Sequence, residues 1–170
     1  MGYVNDTQSA VIIPPCDMQI NGGTWSDQVA SNQWSRDKAA AADSSTVRIP
    51  LTGIFQNAAG LKGSLVRSVD IWYEVGTAAC TSVGAAVYRL TVPADNASPS
   101  APAVVTFTYD AGHDTNAKRY AVQKHRMTLA VTTPIWLAAD DVVFVELAVT
   151  AAATTVFKMK EARVNFTLRL

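Results

Sequence analysis

Between Ala162 and Leu170 the chain alternates without a break. Ala162, Val164, Phe166, Leu168 and Leu170 fall on one side, and Arg163, Asn165, Thr167 and Arg169 on the other. A period of two marks a half-buried β-strand, because successive side chains leave opposite faces of a pleated backbone. The same alternation runs back to Thr46. Val47, Ile49 and Leu51 share a face there, and Pro50 confines that segment to an edge or a strand end. Val69, Ile71, Tyr73 and Val75 form the apolar face of a longer strand whose other face carries Ser68, Asp70, Trp72 and Glu74. Further strands are expected at 85–92, 103–109, 127–131, 135–137, 143–149 and 154–160. Asp95, Asn96, Ser98 and Ser100 lie between Pro93 and Pro102 in a turn-forming loop.

This makes about eight strands with no long amphipathic helix between them, which points to an all-β sandwich rather than an α/β sheet. A jelly-roll-like double layer suits that number, because it limits exposed edges. The alternative is an immunoglobulin-like sandwich, which would sit more comfortably in a shorter chain with a Cys…Trp…Cys arrangement that is missing here.

Residues 1–45 read differently. Pro14-Pro15 and Asn21-Gly22-Gly23 are turn signals, and no sustained period appears. The expectation is an irregular N-terminal arm ahead of a sandwich domain at 46–170. Within the arm, Val11-Ile12-Ile13 reads as a short strand and Ser35 to Ala42 as a helical turn or two. Trp25 and Trp34 in the arm, with Trp72 on a polar strand face, are the candidate interface residues, since large aromatics gain most from being covered. The arm either wraps a neighbouring subunit or folds back over its own sheet.

Composition sharpens the picture. Only 16% of residues are charged, against 49% hydrophobic. A chain this short of charge often hides surface in an assembly, against ~25% for ordinary soluble domains. Fourteen basic and fourteen acidic residues cancel, so no net field favours nucleic acid or an anionic membrane. The basic cluster Lys118, Arg119, Lys124, His125 and Arg126 around Tyr120 therefore reads as a polar connection. No apolar run approaches the ~20 residues of a membrane-crossing helix, and no basic-then-apolar leader opens the chain. Cys16 and Cys80 either pair, tying arm to domain, or stay free; without an export signal free thiols are the commoner outcome. The Asn-x-Ser/Thr triplets at Asn5, Asn96 and Asn165 read as chance occurrences in a Thr-rich chain.

Candidate chemistry is sparse. The loop from Tyr109 to Thr115 carries Asp110, His113 and Asp114, with His125 further on. These residue types bind metals, but the spacings His-x-His and His-Glu-x-x-His are absent. The expected state is a hairpin loop with turn-forming Asp110 and Gly112, Asp114 bonded to nearby amides and His113 solvated. No Gly-x-Ser-x-Gly elbow occurs, nothing cationic adjoins Cys80 in sequence, and Asp140-Asp141 read as a solvated pair on a turn. The sequence thus predicts no catalytic residue, no cofactor and no metal.

The Ala/Thr/Val-rich strand series, the Trp-bearing N-terminal segment, Trp72-Tyr73 in a long strand and the close from Thr154-Thr155-Val156-Phe157-Lys158 to Leu170 give the chain its texture. In these features it resembles the small all-β structural proteins of tailed-phage virions. The resemblance implies a non-enzymatic jelly-roll-type virion component, such as a capsid decoration, head or tail-fibre protein. Such a protein assembles in the host cytoplasm. Its partners would be itself as a homo-oligomer, other virion proteins and a host surface glycan. The rival expectation is a carbohydrate-binding β-sandwich module with Trp72, Trp136 or Tyr120 as its stacking platform.

Overall fold

Alternating apolar residues build nearly every element of the chain. A computed structural model describes residues 6–28, 34–51, 63–93, 95, 97–138 and 140–169. The strands in order are β1 (Asp6–Ile13), β2 (Gln19–Asn21), β3 (Trp25–Gln28), β4 (Ser35–Lys38), β5 (Ser44–Pro50), β6 (Gly63–Gly76), β7 (Ser82–Thr91), β8 (Ala103–Val105) and β9 (Phe107–Tyr109). A five-residue helix α1 (Asn116–Tyr120) precedes β10 (Gln123–Leu137), β11 (Asp141–Thr150) and β12 (Val156–Arg169). They form two antiparallel sheets, an all-β sandwich.

The first sheet runs β3-β4-β12-β6-β10-β9, with β1 beside β12; the second runs β2-β5-β11-β7-β8. Two runs of chain interlock. β11 lies between β5 and β7 in one sheet, while β6 lies between β12 and β10 in the other. The outer edge of β12 is shared, its first part pairing with β4 and its remainder with β1.

The core is the meeting of the two apolar faces. Val47, Ile49, Val143, Val145 and Leu147 from the second sheet are fully buried, as are Val69, Ile71, Met127 and Leu129 from the first. Each such side chain contributes ~1.5–3 kcal/mol through burial. The C-terminal alternation is observed, with Ala162, Val164 and Phe166 buried. Opposite Asn165 and Phe166, however, β6 skips a residue, so that Ser68 and Val66 are the partners and Arg67 bulges out. Arg67 Nε then donates to the Thr167 hydroxyl, and Thr167 is buried although it belongs to the polar set. Pro134 sits inside β10, joining the expected strands 127–131 and 135–137 into one, where the register with β6 breaks between Ala130 and Ile135. There its missing N–H interrupts no ladder.

Three expectations fail. Ala103 to Tyr109 is not one strand: β8 belongs to the second sheet and β9 to the first, so the chain crosses between layers at Thr106. The N-terminal segment is not irregular either. It supplies β1, β3 and β4 to the first sheet and β2 to the second, so it is part of the sandwich. Ser35–Lys38 is strand rather than helix, because β4 pairs with β3 on one side and β12 on the other. Those ladders outweigh the weak helix preference of a short Ala-rich stretch.

The β4–β5 connection is organised by one side chain. Lys38 faces inward opposite Phe157 and is fully buried, with Nζ donating to the carbonyls of Ala39 at 3.1 Å and Ala41 at 3.3 Å. Its remaining partner is the Asp43 carboxylate.

Candidate functional site

The three candidate tryptophans end in different surroundings. Trp25 on β3 packs on its own domain: Nε1 donates to the Gly22 carbonyl at 3.0 Å, and the ring meets Phe157 edge-on at 6.2 Å. Gly22 and Gly23 both have positive φ there, which bends the chain back over Ser44 and Ser45. Trp34 is 57% exposed and borders a small cleft with Pro15, Cys16 and Arg36. Cys16 is an exposed free thiol and Cys80 a buried one, so the two do not pair.

Trp72 stands on the solvent face of the first sheet, half-buried. The guanidinium carbons of Arg126 and Arg163 lie 5.2 Å and 5.4 Å from its ring centre. Both arginines also reach Asp70, which is only 3% exposed. Burial alone would raise the Asp70 carboxyl. Hydrogen bonds from Thr128, Arg163 and Asn165, with the charge of Arg126, instead hold it below its ordinary value. The ring of Trp72 is thus framed by an ion-pair lattice. Asn165, with its amide bonded to Ser68 and Asp70, is part of that lattice. The other triplet asparagines, Asn5 and Asn96, lie outside the described residues.

The two histidines of the Asp110–His125 region are buried rather than solvated. His113 is 7% exposed and His125 4% exposed. Asp110 accepts from the amides of Gly112 and Thr128 and from His113 Nδ1 at 2.9 Å. His113 Nε2 meets His125 Nδ1 at 3.2 Å, and His125 Nε2 lies 2.9 Å from the Ala121 carbonyl. Donor roles follow from the two ends of this chain. A carbonyl only accepts, so His125 Nε2 carries a proton. Asp110 is held below the usual carboxylate range, because these bonds and the His113 ring outweigh the upward effect of burial. As an acceptor it faces His113 Nδ1. Burial lowers His125, and the His113 ring pushes the same way against the Ala121 bond.

Around this chain the two sheets are clasped. Tyr73 stacks on His125 at 4.5 Å and donates to the Arg119 carbonyl at 2.7 Å. Arg119 in turn donates to the carbonyls of Val83 and His113 and lies 4.2 Å above the Tyr109 ring. Both ring nitrogens of His125 are committed, and burial pushes the Cys80 thiol up to about 11. Such a thiol is a poor nucleophile at neutral pH. Among the described residues no group of three His, Cys, Asp or Glu side chains is placed to hold a metal ion. Asp114 pairs with Lys118 on the surface. Asp141 departs from the expected solvated pair: it is buried and bonded by Arg89, Thr91 and the Ala138 amide.

The surface that sequence reading missed lies on the outside of the second sheet. Pairing places Pro50, Phe144, Tyr88 and Val104 side by side across β5, β11, β7 and β8. All four point away from the core, and the row spans ~15 Å at the usual strand spacing. Val104 is 69% exposed. Leu90, Val142 and Pro102 continue the patch as one wall of a shallow groove. Arg48 also borders the groove and pairs with Glu146 at 3.0 Å. The signal was present in Val142-Val143-Phe144-Val145, where the outward positions of the strand are as apolar as the inward ones.

No family model and no curated protein matches the chain. Among solved structures it is similar to the catalytic domain of Agl-KA, with 8% identity and a TM-score of 0.38, over 91% of this chain. The chain spans only 27% of that structure's length, and a likeness this low supports no functional inference.

Proposed function

We propose that this protein is a non-enzymatic virion structural protein, of the phage decoration, head or tail-fibre kind, acting through self-assembly and surface contacts. The apolar row Pro50–Phe144–Tyr88–Val104 carries this reading. The outer face of a sheet in a monomer is normally polar, and a contiguous apolar patch on it marks an interaction surface. The low charge of the chain points the same way. The virion assignment rests on the sequence texture. Many copies on one particle then give avidity from weak individual contacts.

The carbohydrate-binding alternative needs exposed, flat aromatics. Of its three platform residues, Trp72 is framed by guanidiniums and Tyr120 packs against the core, so only Trp136, 39% exposed, remains of that set. Assembly is therefore the better-supported reading. Light scattering across micromolar concentrations tests it. The natural chain should exceed its 18.1 kDa monomer mass, and Phe144→Lys with Val104→Lys should reduce that mass without loss of β-sheet circular dichroism. A natural chain that stays monomeric throughout would refute it.

A further inference from the structure

Sheet edges decide which strands can accept another strand, since an edge presents a row of unpaired N–H and C=O groups. Among the described residues, most edges here are blunted. β2, β8 and β9 are three residues long, and β3 is four with Asp27 tied to Arg36. The part of β7 beyond β8 is capped by side chains: Asn116 Oδ1 accepts from the Val83 amide, Arg119 Nε donates to its carbonyl, and the Tyr109 hydroxyl serves the Ala85 amide. Three side chains there stand in for a strand.

β1 has none of these protections. Its eight residues pair with β12 in one unbroken register, from Asp6↔Arg169 to Ile13↔Ala162. It contains no proline, no lysine and no bulge, and along Thr7–Ile13 its other edge meets no strand among the described residues. Its core side is also incompletely covered. Thr7 is exposed and Ser9 and Val11 are half-buried, although their partners Phe166 and Val164 are buried. On the outer side Ile12 is 59% exposed.

We propose that the free edge of β1 pairs antiparallel with β1 of a second copy, making the first sheets of two subunits continuous across a twofold axis. The proposal rests on the self-assembly reading and names one contact within it. Charge selects the partner and the direction. The chain has no net charge, so copies do not repel one another. The only charge on β1 is Asp6 at its end. Parallel pairing in register would set two Asp6 carboxylates side by side, whereas antiparallel pairing separates them by the length of the strand. With Ser9 on the axis, Thr7, Ser9 and Val11 of one copy meet the same set of the other on the core side; with Ala10 on it, Ser9 meets Val11 and Thr7 meets Ile13. A register one residue off would set core-side residues against outer-face ones.

Hydrogen exchange of the natural chain, from dilute to concentrated, tests this alongside light scattering. The β1 amides should gain protection as mass rises, and Ala10→Lys with Ile12→Lys should remove one association step. In a Cys16→Ser background, either Ser9→Cys or Ala10→Cys should give a disulfide-linked dimer. A chain that is monomeric at every concentration overturns both this contact and the assembly reading. Assembly with unprotected β1 amides, or with mass unchanged in a folded β1 variant, overturns the β1 contact alone. If the lysine variant fails to fold, exchange in the natural chain decides.

Discussion

The buried ammonium of Lys38 makes an ordered pair of outcomes calculable. Its three protons are used by two carbonyls and one carboxylate, and no part of the side chain reaches water. Breaking a buried ion pair costs about 3–5 kcal/mol when the survivor stays buried. The two halves of this pair differ in that respect. Asp43 keeps 31% of its side chain exposed, although the paired Oδ1 is itself covered, so after Lys38→Met its carboxylate, like the exposed Ala39 segment, can turn to water. Methionine also retains the apolar stem against Phe157. About 2 kcal/mol is then expected, near the lower end for buried groups left without a partner. Asp43→Ala instead strands a fully buried cation with only two carbonyls, and about 3–5 kcal/mol is expected. At roughly 2–4 °C per kcal/mol for a domain of this size, the carboxylate variant should melt distinctly lower. Urea unfolding of both single variants and the double variant measures the order, and the double variant should resemble Lys38→Met. Lys38→Met proving more damaging than Asp43→Ala, or both costing under ~1 kcal/mol, would refute the argument.

Other outcomes are equally specific. His125 is held below its ordinary value of 6.5, so the unfolded chain takes up that proton first and stability should fall as pH drops below 6.5. A second loss should follow as pH falls below the ordinary carboxyl value of 3.8, when Asp70, Asp110 and Asp141 are driven towards protonation in the folded state. Denaturation midpoints across pH check both, and His125→Gln should abolish the first loss only. Asp70→Ala removes the acceptor shared by Thr128, Asn165 and two arginines and should cost about 2–3 kcal/mol in chemical denaturation. Tyr73→Phe leaves the Arg119 carbonyl without its donor and should cost about 1–2 kcal/mol, with faster exchange across 110–125.

What was legible in the sequence follows from what a pattern of two can express. Val47–Ile49, Val69–Val75 and Val143–Val149 announced both their strand and their buried face, because packing and alternation agree there. Short strands such as β2 and β4 carry too few residues for a period to register. Buried polar groups defeated the reading for another reason. Lys38, His113, Asp141 and Thr167 look solvent-facing as residue types. For Asp141 and Thr167 the partners lie far away in sequence, at Arg89 and Thr91 and at Arg67, while Lys38 turns inward onto its own neighbours Ala39 and Ala41. The apolar row on the second sheet escaped because each strand contributes only one or two residues to it. It exists only once register aligns Phe144 with Pro50 and Tyr88.

The interlocking of β5–β7 with β10–β12 also sets an order of events in folding. β5 and β7 do not touch until β11 fills the place between them, and β6 is joined to β1 only through β12. The ladder that seats β1 links residue 6 to residue 169, so it closes a loop of nearly the whole chain. Contacts of such long range must be reached before they reward the entropy lost in forming them, which slows folding relative to hairpin-built sheets. On the ribosome, neither sheet is complete until β11 and β12 have emerged. Until then the apolar faces of β5, β6 and β7 have no permanent cover, and that interval is when the chain is most open to association with the wrong partner.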